Sequence, residues 1–353
     1  MQIINPATEE VIREIKEDSP ATLRSKFDIL KSAQPRWAQL GIADRVAVLK
    51  RFSALLSGQA PELADVLTSE VGKPLQQSRN EIKGAQSRIG WLTDNAEKYL
   101  ADEVMIAGDG LEEKISYEPL GVVCNISAWN YPYLVGVNVF VPALLAGNAV
   151  MYKPSEYATL TGLEIERLLK EAGVPADVFH VAVGGRVTGE ALLDLPFQGY
   201  FFTGSFKTGQ HIYEKVAPKM VPCQCELGGK DPLYVADDVT DVAAVAAATA
   251  DGAFYNNGQS CCAVERIYVH ESIYERYVEA FTREVASWKK GRPTEDGVYF
   301  GPLTRRDQVV VLEKQVGDAV AKGAKLIMGG KRDGGTGYFF QPTVLTNVDH
   351  TME

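Results

Sequence analysis

The sequence is short of several things that whole classes of protein require. Positive charge is in deficit: 36 Lys+Arg stand against 46 Asp+Glu, a formal net charge of −10. Nucleic-acid partners demand a basic patch or stripe, so this balance argues against them. Histidine is scarce, with 4 in 353 residues, spread over His180, His211, His270 and His350. Scattered imidazoles give no support to a zinc centre or to a Cys–His hydrolase pair. Cysteine is sparse and odd in number, 5 in all. That is no disulfide framework; it fits free thiols in a reducing cytoplasm. The N-terminus lacks a basic start followed by an apolar run, so no secretory leader is expected. One absence points the other way, because residues 119–152 carry no charge at all. Such a stretch is long enough to cross a bilayer. Pro132, Pro142, Asn125, Asn130, Asn138 and Asn148 interrupt it, however, and these breakers and amides suit the interior of a fold rather than lipid.

What is present reads as an α/β protein of two or more domains. Ser19-Pro20 has the form of an N-cap followed by proline at the first helical position. Leu23, Phe27 and Leu30 then share a helical face. A second helix carries Val46, Leu49, Phe52 and Leu56 and stops near Gly58. A third runs from Pro61 to near Gly72, and a fourth from about Asn80 to Leu100 with Ile82, Ile89, Leu92 and Tyr99 apolar. Lys114–Glu118 alternates like a half-exposed strand. Short apolar runs follow at Val122–Ile126, Ala149–Tyr152, Val178–Val183, Tyr200–Phe202 and Pro232–Val235, separated by helical stretches. Buried strands alternating with helices indicate a parallel sheet, which binds ligands at the carboxyl ends of its strands. From about Gly228 a second α/β unit begins.

Three places carry chemistry. Thr203-Gly204-Ser205 leads from a strand into a helix, where backbone N–H groups approach a pyrophosphate; alone it is equally a tight turn that needs glycine. Lys153-Pro154-Ser155-Glu156 follows a strand and suits ribose hydroxyls; alone it is a solvated turn. Asn256-Asn257-Gly258-Gln259-Ser260-Cys261-Cys262 places two thiols after a glycine turn, a setting for a reactive rather than a structural cysteine. Cys223 and Cys225 flank a different turn, and C-x-C with an adjacent C-C lacks zinc spacing. A reactive thiol needs a base and an oxyanion donor. Glu226, beside Gly228-Gly229, and Asn130, in Trp129-Asn130-Tyr131-Pro132, are of the right type, though spacing alone does not bring them together.

Taken in order, these motifs resemble the NAD(P)-dependent aldehyde dehydrogenase superfamily. Asn5-Pro6-Ala7-Thr8 and Glu70-Val71-Gly72-Lys73-Pro74 add to the match, as do Glu226-Leu227-Gly228-Gly229-Lys230 and Gly258-Gln259-Ser260-Cys261. The resemblance implies a Rossmann-like parallel-sheet cofactor domain (1–100 and 120–227) and a second α/β catalytic domain (228–353). It also implies a small β oligomerisation element (101–119). It makes Cys261 the nucleophile, Glu226 the general base and Asn130 the oxyanion donor. Ile126, Trp129 and Leu227 line the cofactor cleft, Lys153 and Glu156 contact the adenosine ribose, and Gly204 and Ser205 lie over the pyrophosphate.

The implied reaction oxidises an aldehyde to a carboxylic acid. It passes through a Cys261 thiohemiacetal, hydride transfer to the nicotinamide and a thioester hydrolysed by water that Glu226 activates. Glu226 favours hydrolysis over transfer to coenzyme A. Glu156 favours NAD, with NADP as the alternative, because a carboxylate repels a 2′-phosphate. Tyr131, Tyr133, Leu134, Val135 and Asn138 are expected to shape the aldehyde tunnel and, mostly apolar or aromatic with no arginine to hold a second carboxylate, favour aliphatic or aromatic aldehydes over semialdehyde acids. The expected partners are a small aldehyde and other copies of the chain, as a homodimer or homotetramer in the full-length form, with no membrane, no nucleic acid and no metal. The family pattern continues past Met352-Glu353 into a segment with a nicotinamide-ribose glutamate and an oligomer strand. The expectation is therefore a chain that stops partway and is poorly active and unstable alone. A non-catalytic nucleotide-binding or structural protein on the same fold is the competing reading.

Overall fold

Ser19 opens the first helix as its residue type dictates. In the computed structural model, which describes residues 1–108 and 110–353, its Oγ accepts the Thr22 N–H at 3.2 Å. Pro20 takes the first position of the helix Pro20–Ala38, which buries Leu23, Phe27 and Leu30. The second helix, Ile42–Gly58, buries Leu49, Phe52 and Leu56 but only half-buries Val46. The third spans Ala60–Val71. The fourth, Leu75–Leu100, starts earlier than its apolar spacing suggests. Pro74 is the reason: its carbonyl accepts the Ser78 N–H, so the helix begins directly after the proline. Tyr99 at its far end is exposed and stacks on Trp91 instead of joining the core.

The chain divides into two compact units. The first holds Met1, Glu14–Val66 and Arg79–Leu227; the second holds Gln2–Arg13, Leu67–Ser78 and Gly228–Glu353. Two pieces expected in the cofactor domain therefore group with the second unit. Their tethers are specific: the Tyr338 N–H donates to the Pro6 carbonyl at 2.9 Å, and Thr304 Oγ1 donates to the Val71 carbonyl at 2.6 Å.

A five-stranded sheet, parallel throughout, organises the first unit. Its spatial order is Phe179–Val181, Ala149–Lys153, Val122–Ile126, Gly199–Thr203 and Cys223–Glu226. The fifth strand corrects two expectations. Cys223 and Cys225 lie on it rather than beside a turn, and Asp231–Val235 pairs elsewhere, with Val264–Val269 in the second unit. As an edge strand, Cys-Gln-Cys-Glu exposes every second residue and lacks the unbroken apolar run of a central strand. The uncharged stretch 119–152 supplies the central strand, the helix Pro132–Leu145 and most of the next strand. Among the described residues no helix is long and apolar enough to cross a membrane. Glu103–Gly108 and Leu111–Ile115 form an antiparallel pair exposed on both faces, so Lys114–Glu118 is not the half-buried strand its alternation suggests.

Helices pack on this sheet through aromatic contacts. Phe140 meets Phe52, Tyr152 and Phe179 at ring-centroid distances of 6.1, 5.6 and 5.5 Å, each edge to face. In the second unit the helices Val242–Phe254 and Tyr274–Ser287 enclose Val242, Ala246, Ala250, Tyr277, Phe281 and Val285 with Val235 and Phe300. Phe140→Ala removes a fully buried ring from the junction of two helices and two strands, at an expected cost of about 3–5 kcal/mol. Chemical denaturation should show the loss as an earlier transition; an unchanged midpoint would show that the cavity collapses without penalty.

Candidate active site

Parallel pairing brings several of the expected residues to one edge of the first unit. Ile126 ends the central strand and pairs with Lys153 on one side and Phe202 on the other. Lys153 is buried, donates to the Pro154 carbonyl at 3.2 Å, and has Nζ 4.0 Å from Glu156 Oε2. Burial pulls its pKa below the ordinary lysine value, and the nearby Glu156 carboxylate opposes that shift. Glu156 opens a single turn, Glu156–Ala158, capped by Ser155, whose hydroxyl donates to the Glu156 carboxylate at 3.3 Å. Its side chain is 41% exposed. A buried ammonium beside a solvent-facing carboxylate at a strand end suits the hydroxyls of a ribose. Trp129 is half-buried and packs edge to face on Tyr157 at 6.5 Å.

Gly204 and Ser205 join the strand Gly199–Thr203 to the helix Phe206–Val216. Ser205 caps that helix by accepting the Thr208 N–H at 3.4 Å. The start of an eleven-residue helix presents unpaired N–H groups and a partial positive charge to an anion. A side chain at Gly204 would come within 2.5 Å of the Phe202 ring, and one at Gly209 within 2.5 Å of Leu227 Cδ2. Close packing of the Phe202 and Leu227 side chains, not a left-handed backbone, favours glycine at both positions. The Gly204 N–H donates to the Glu226 carbonyl at 3.0 Å, which fixes the end of the edge strand while the Glu226 side chain stays exposed. These residues fit a dinucleotide: a helix start and glycine turn for its phosphates, and Lys153 with Glu156 for a ribose.

Asn130 Oδ1 accepts the Tyr131 N–H at 3.0 Å, directly before Pro132 starts its helix. Of the residues expected to shape an aldehyde tunnel, Tyr133 is fully buried, with its N–H held by Glu81 at 2.9 Å, and packs as core. Asn138 is exposed. Helical periodicity explains this, because residues one position apart point in different directions.

The thiol loop belongs to the second unit. After the helix Val242–Phe254, residues Asn256, Asn257 and Gly258 adopt left-handed conformations with φ of 54°, 57° and 71°. Asparagine tolerates this region better than most side chains, and glycine does so freely. Asn257 Nδ2 donates to the Gly301 and Pro302 carbonyls at 3.0 and 2.8 Å. Gln259 Nε2 donates to the Asn256 carbonyl at 3.1 Å, and its Oε1 accepts the Thr304 N–H at 3.1 Å. Cys261 and Cys262 then emerge exposed. A Cβ at Gly229 would fall 2.5 Å from the Cys261 carbonyl oxygen, so the Gly228-Gly229 turn lies against the backbone of the thiol loop. Lys230 pairs with Glu265, and Arg266 donates to the Lys230 carbonyl. Partial burial pushes the Cys261 thiol above the ordinary cysteine value, and Cys262 adds to the shift. The residues that hold this loop from outside it, Gln77 and Thr304, carry no local motif and were not legible in the sequence. Among the described residues no group of three or more His, Cys, Asp or Glu is arranged to hold a metal ion.

Comparison with known proteins agrees with these features. Residues 1–353 match the aldehyde dehydrogenase family. The chain is 36% identical over 360 residues to 3,6-anhydro-alpha-L-galactose dehydrogenase of Streptomyces coelicolor, covering all of this chain and 73% of that protein. It is 33% identical to glutarate-semialdehyde dehydrogenase of Pseudomonas putida, covering 99% of this chain and 73% of the relative. Among solved structures, succinate-semialdehyde dehydrogenase from Burkholderia pseudomallei superposes with a TM-score of 0.95 at 33% identity, over 100% of this chain and 73% of its own. A 3,6-anhydro-L-galactose dehydrogenase in complex with NAP gives 0.94 at 32% identity, over 100% and 75%. The chain belongs to the aldehyde dehydrogenase family, enzymes that oxidise aldehydes to carboxylic acids with NAD or NADP.

Proposed function

We propose that Cys261 is the nucleophile of this oxidation, Asn130 its oxyanion donor and Glu226 the base that completes turnover. The exposed Cys261 thiol on a loop fixed by side-chain amides is the observation that carries the reading. The thiolate adds to the aldehyde carbon, and the carbonyl oxygen becomes an oxyanion. Asn130 Oδ1 is committed to its own backbone turn, so the Nδ2 group is the part of the amide that serves the oxyanion. NAD(P), when bound by Lys153, Glu156, Gly204, Ser205 and the side chains of Ile126, Trp129 and Leu227, supplies the hydride acceptor. Glu226 takes a proton from water, which attacks the acyl carbon and releases the acid and the Cys261 thiol. Glu156 favours NAD over NADP by repelling a 2′-phosphate. Free thiols and this chemistry suit a reducing cytoplasm.

Self-association completes the proposal. Val104, Met105, Ile106, Leu111 and Ile115 are exposed on the pair Glu103–Gly108 and Leu111–Ile115. An apolar, unpaired strand edge of this kind is a template for pairing with another copy. Light scattering should give a multiple of the chain mass, and Ile106→Asp should reduce it; a wild-type monomer would sink the idea.

Two kinetic tests address the site. With NAD and a panel of aldehydes, Cys261→Ser should lower NADH production by at least about a thousandfold. Glu226→Gln should keep a first burst of NADH and lose steady turnover. Full activity of the serine variant would rule out the nucleophile assignment. The raised Cys261 pKa gives a further sign. Less thiolate exists at neutral pH, so alkylation of Cys261, followed by peptide mass spectrometry, should rise with pH through a midpoint above that of a free cysteine, about 8.5. Cys262→Ala should lower that midpoint, and a midpoint below the free value would show that burial and Cys262 do not govern the ionisation of Cys261.

A further inference from the structure

We propose that Gln77 is a positioning residue for the thiol loop, an inference that rests on reading Cys261 as the nucleophile. Gln77 stands in the first turn of the helix Leu75–Leu100 and is 5% exposed. Its Oε1 accepts the Asn256 N–H at 3.0 Å across 179 residues of sequence, and its Nε2 donates to the Tyr299 carbonyl at 3.2 Å. The Asn256 N–H lies just past the end of the helix Val242–Phe254, where the backbone turns left-handed. Two consecutive asparagines in that region persist only when their surroundings over-determine them. Asn257 is fixed through its side chain to Gly301 and Pro302, and Gln259 to Thr304. Gln77 fixes the remaining point, the entry to the turn, and ties it to the segment that carries Tyr299. One buried amide uses both its acceptor and its donor for this, and no apolar side chain reproduces either bond.

The consequence is positional. Cys261 follows Asn256 by five residues through a turn with no regular ladder, so a shift at the entry moves the thiol and the backbone N–H beside it. Acylation depends steeply on such placement, since displacements of about 1 Å can cost a hundredfold. Gln77 touches no reacting atom; it acts through Asn256.

The test uses Gln77→Leu and Gln77→Glu in the full chain. In Gln77→Leu, amide exchange at Asn256–Gln259 should quicken at least tenfold while the helices Val242–Phe254 and Tyr274–Ser287 keep their protection. The NADH burst should slow about tenfold with the aldehyde KM within twofold of wild type. Gln77→Glu gives a second readout if the leucine variant does not fold. Its protonated carboxyl reproduces both hydrogen bonds, whereas its ionised form cannot donate to the Tyr299 carbonyl. The burst rate of this variant divided by that of wild type should therefore be near one at low pH and fall as pH rises. A folded Gln77→Leu protein with wild-type exchange and burst overturns the proposal. So does a loss of protection spread over the whole second unit, or a Gln77→Glu ratio that is flat with pH. If Cys261→Ser retains the burst, the nucleophile reading fails separately, and exchange at Asn256 still reports on the Gln77 contact.

Discussion

Parallel strand pairing is the constraint from which the first unit follows. Ile126 sits beside Lys153 and Phe202, and Thr203 beside Glu226, because each ladder runs in the same direction. Residues a hundred positions apart therefore finish at one edge. A parallel pair also needs a crossover, and in this unit helices supply it. Each crossover helix starts at the same edge where the strands end, which is why Ser205 and the helix it caps stand next to Thr203 and Glu226. At that edge Lys153 is buried with Glu156 Oε2 at 4.0 Å, Lys26 pairs with Asp18 beside Val181, and the Glu226 side chain is exposed. In the proposed binding mode, helix N–H groups meet the phosphates and the Lys153–Glu156 pair meets a ribose.

The second unit holds its thiol loop by a different device. A left-handed turn of two asparagines and a glycine makes no ladder, and it is tethered by the amides of Gln77, Asn257 and Gln259. Side-chain amides serve well here because each carries a donor and an acceptor and has no charge to desolvate. The same desolvation that the amides avoid acts on Cys261, raising its pKa. A less acidic thiol forms a stronger nucleophile once ionised but is ionised less often.

Legibility in the sequence tracks how local each signal is. Ser19-Pro20 and the central strand Val122–Ile126 were readable because a cap and a buried strand declare themselves over a few residues. The edge strand Cys223–Glu226 was not, since an alternating Cys-Gln-Cys-Glu next to Pro222 has the composition of a turn. Tyr133 looked like a tunnel residue beside Asn130, and only the helix direction places it in the core. Cys261, Glu226 and Asn130 stood out through their glycine-, proline- and asparagine-rich surroundings. Their supports did not: nothing near Gln77 or Thr304 announces a contact with residues 256–259.

That non-locality has a consequence for how the thiol loop forms. A left-handed asparagine pair is costly without support, so partners elsewhere in the chain fix the turn. Its tethers come from Gln77, from Gly301 and Pro302, and from Thr304, and Thr304 is itself bonded to Val71. Leu67–Ser78 must therefore dock onto the second unit before the loop acquires one conformation, although the chain makes that segment long before it makes Cys261. Contacts of such sequence separation carry a loop-closure cost. The order of the thiol loop therefore depends on a segment that the sequence places far away.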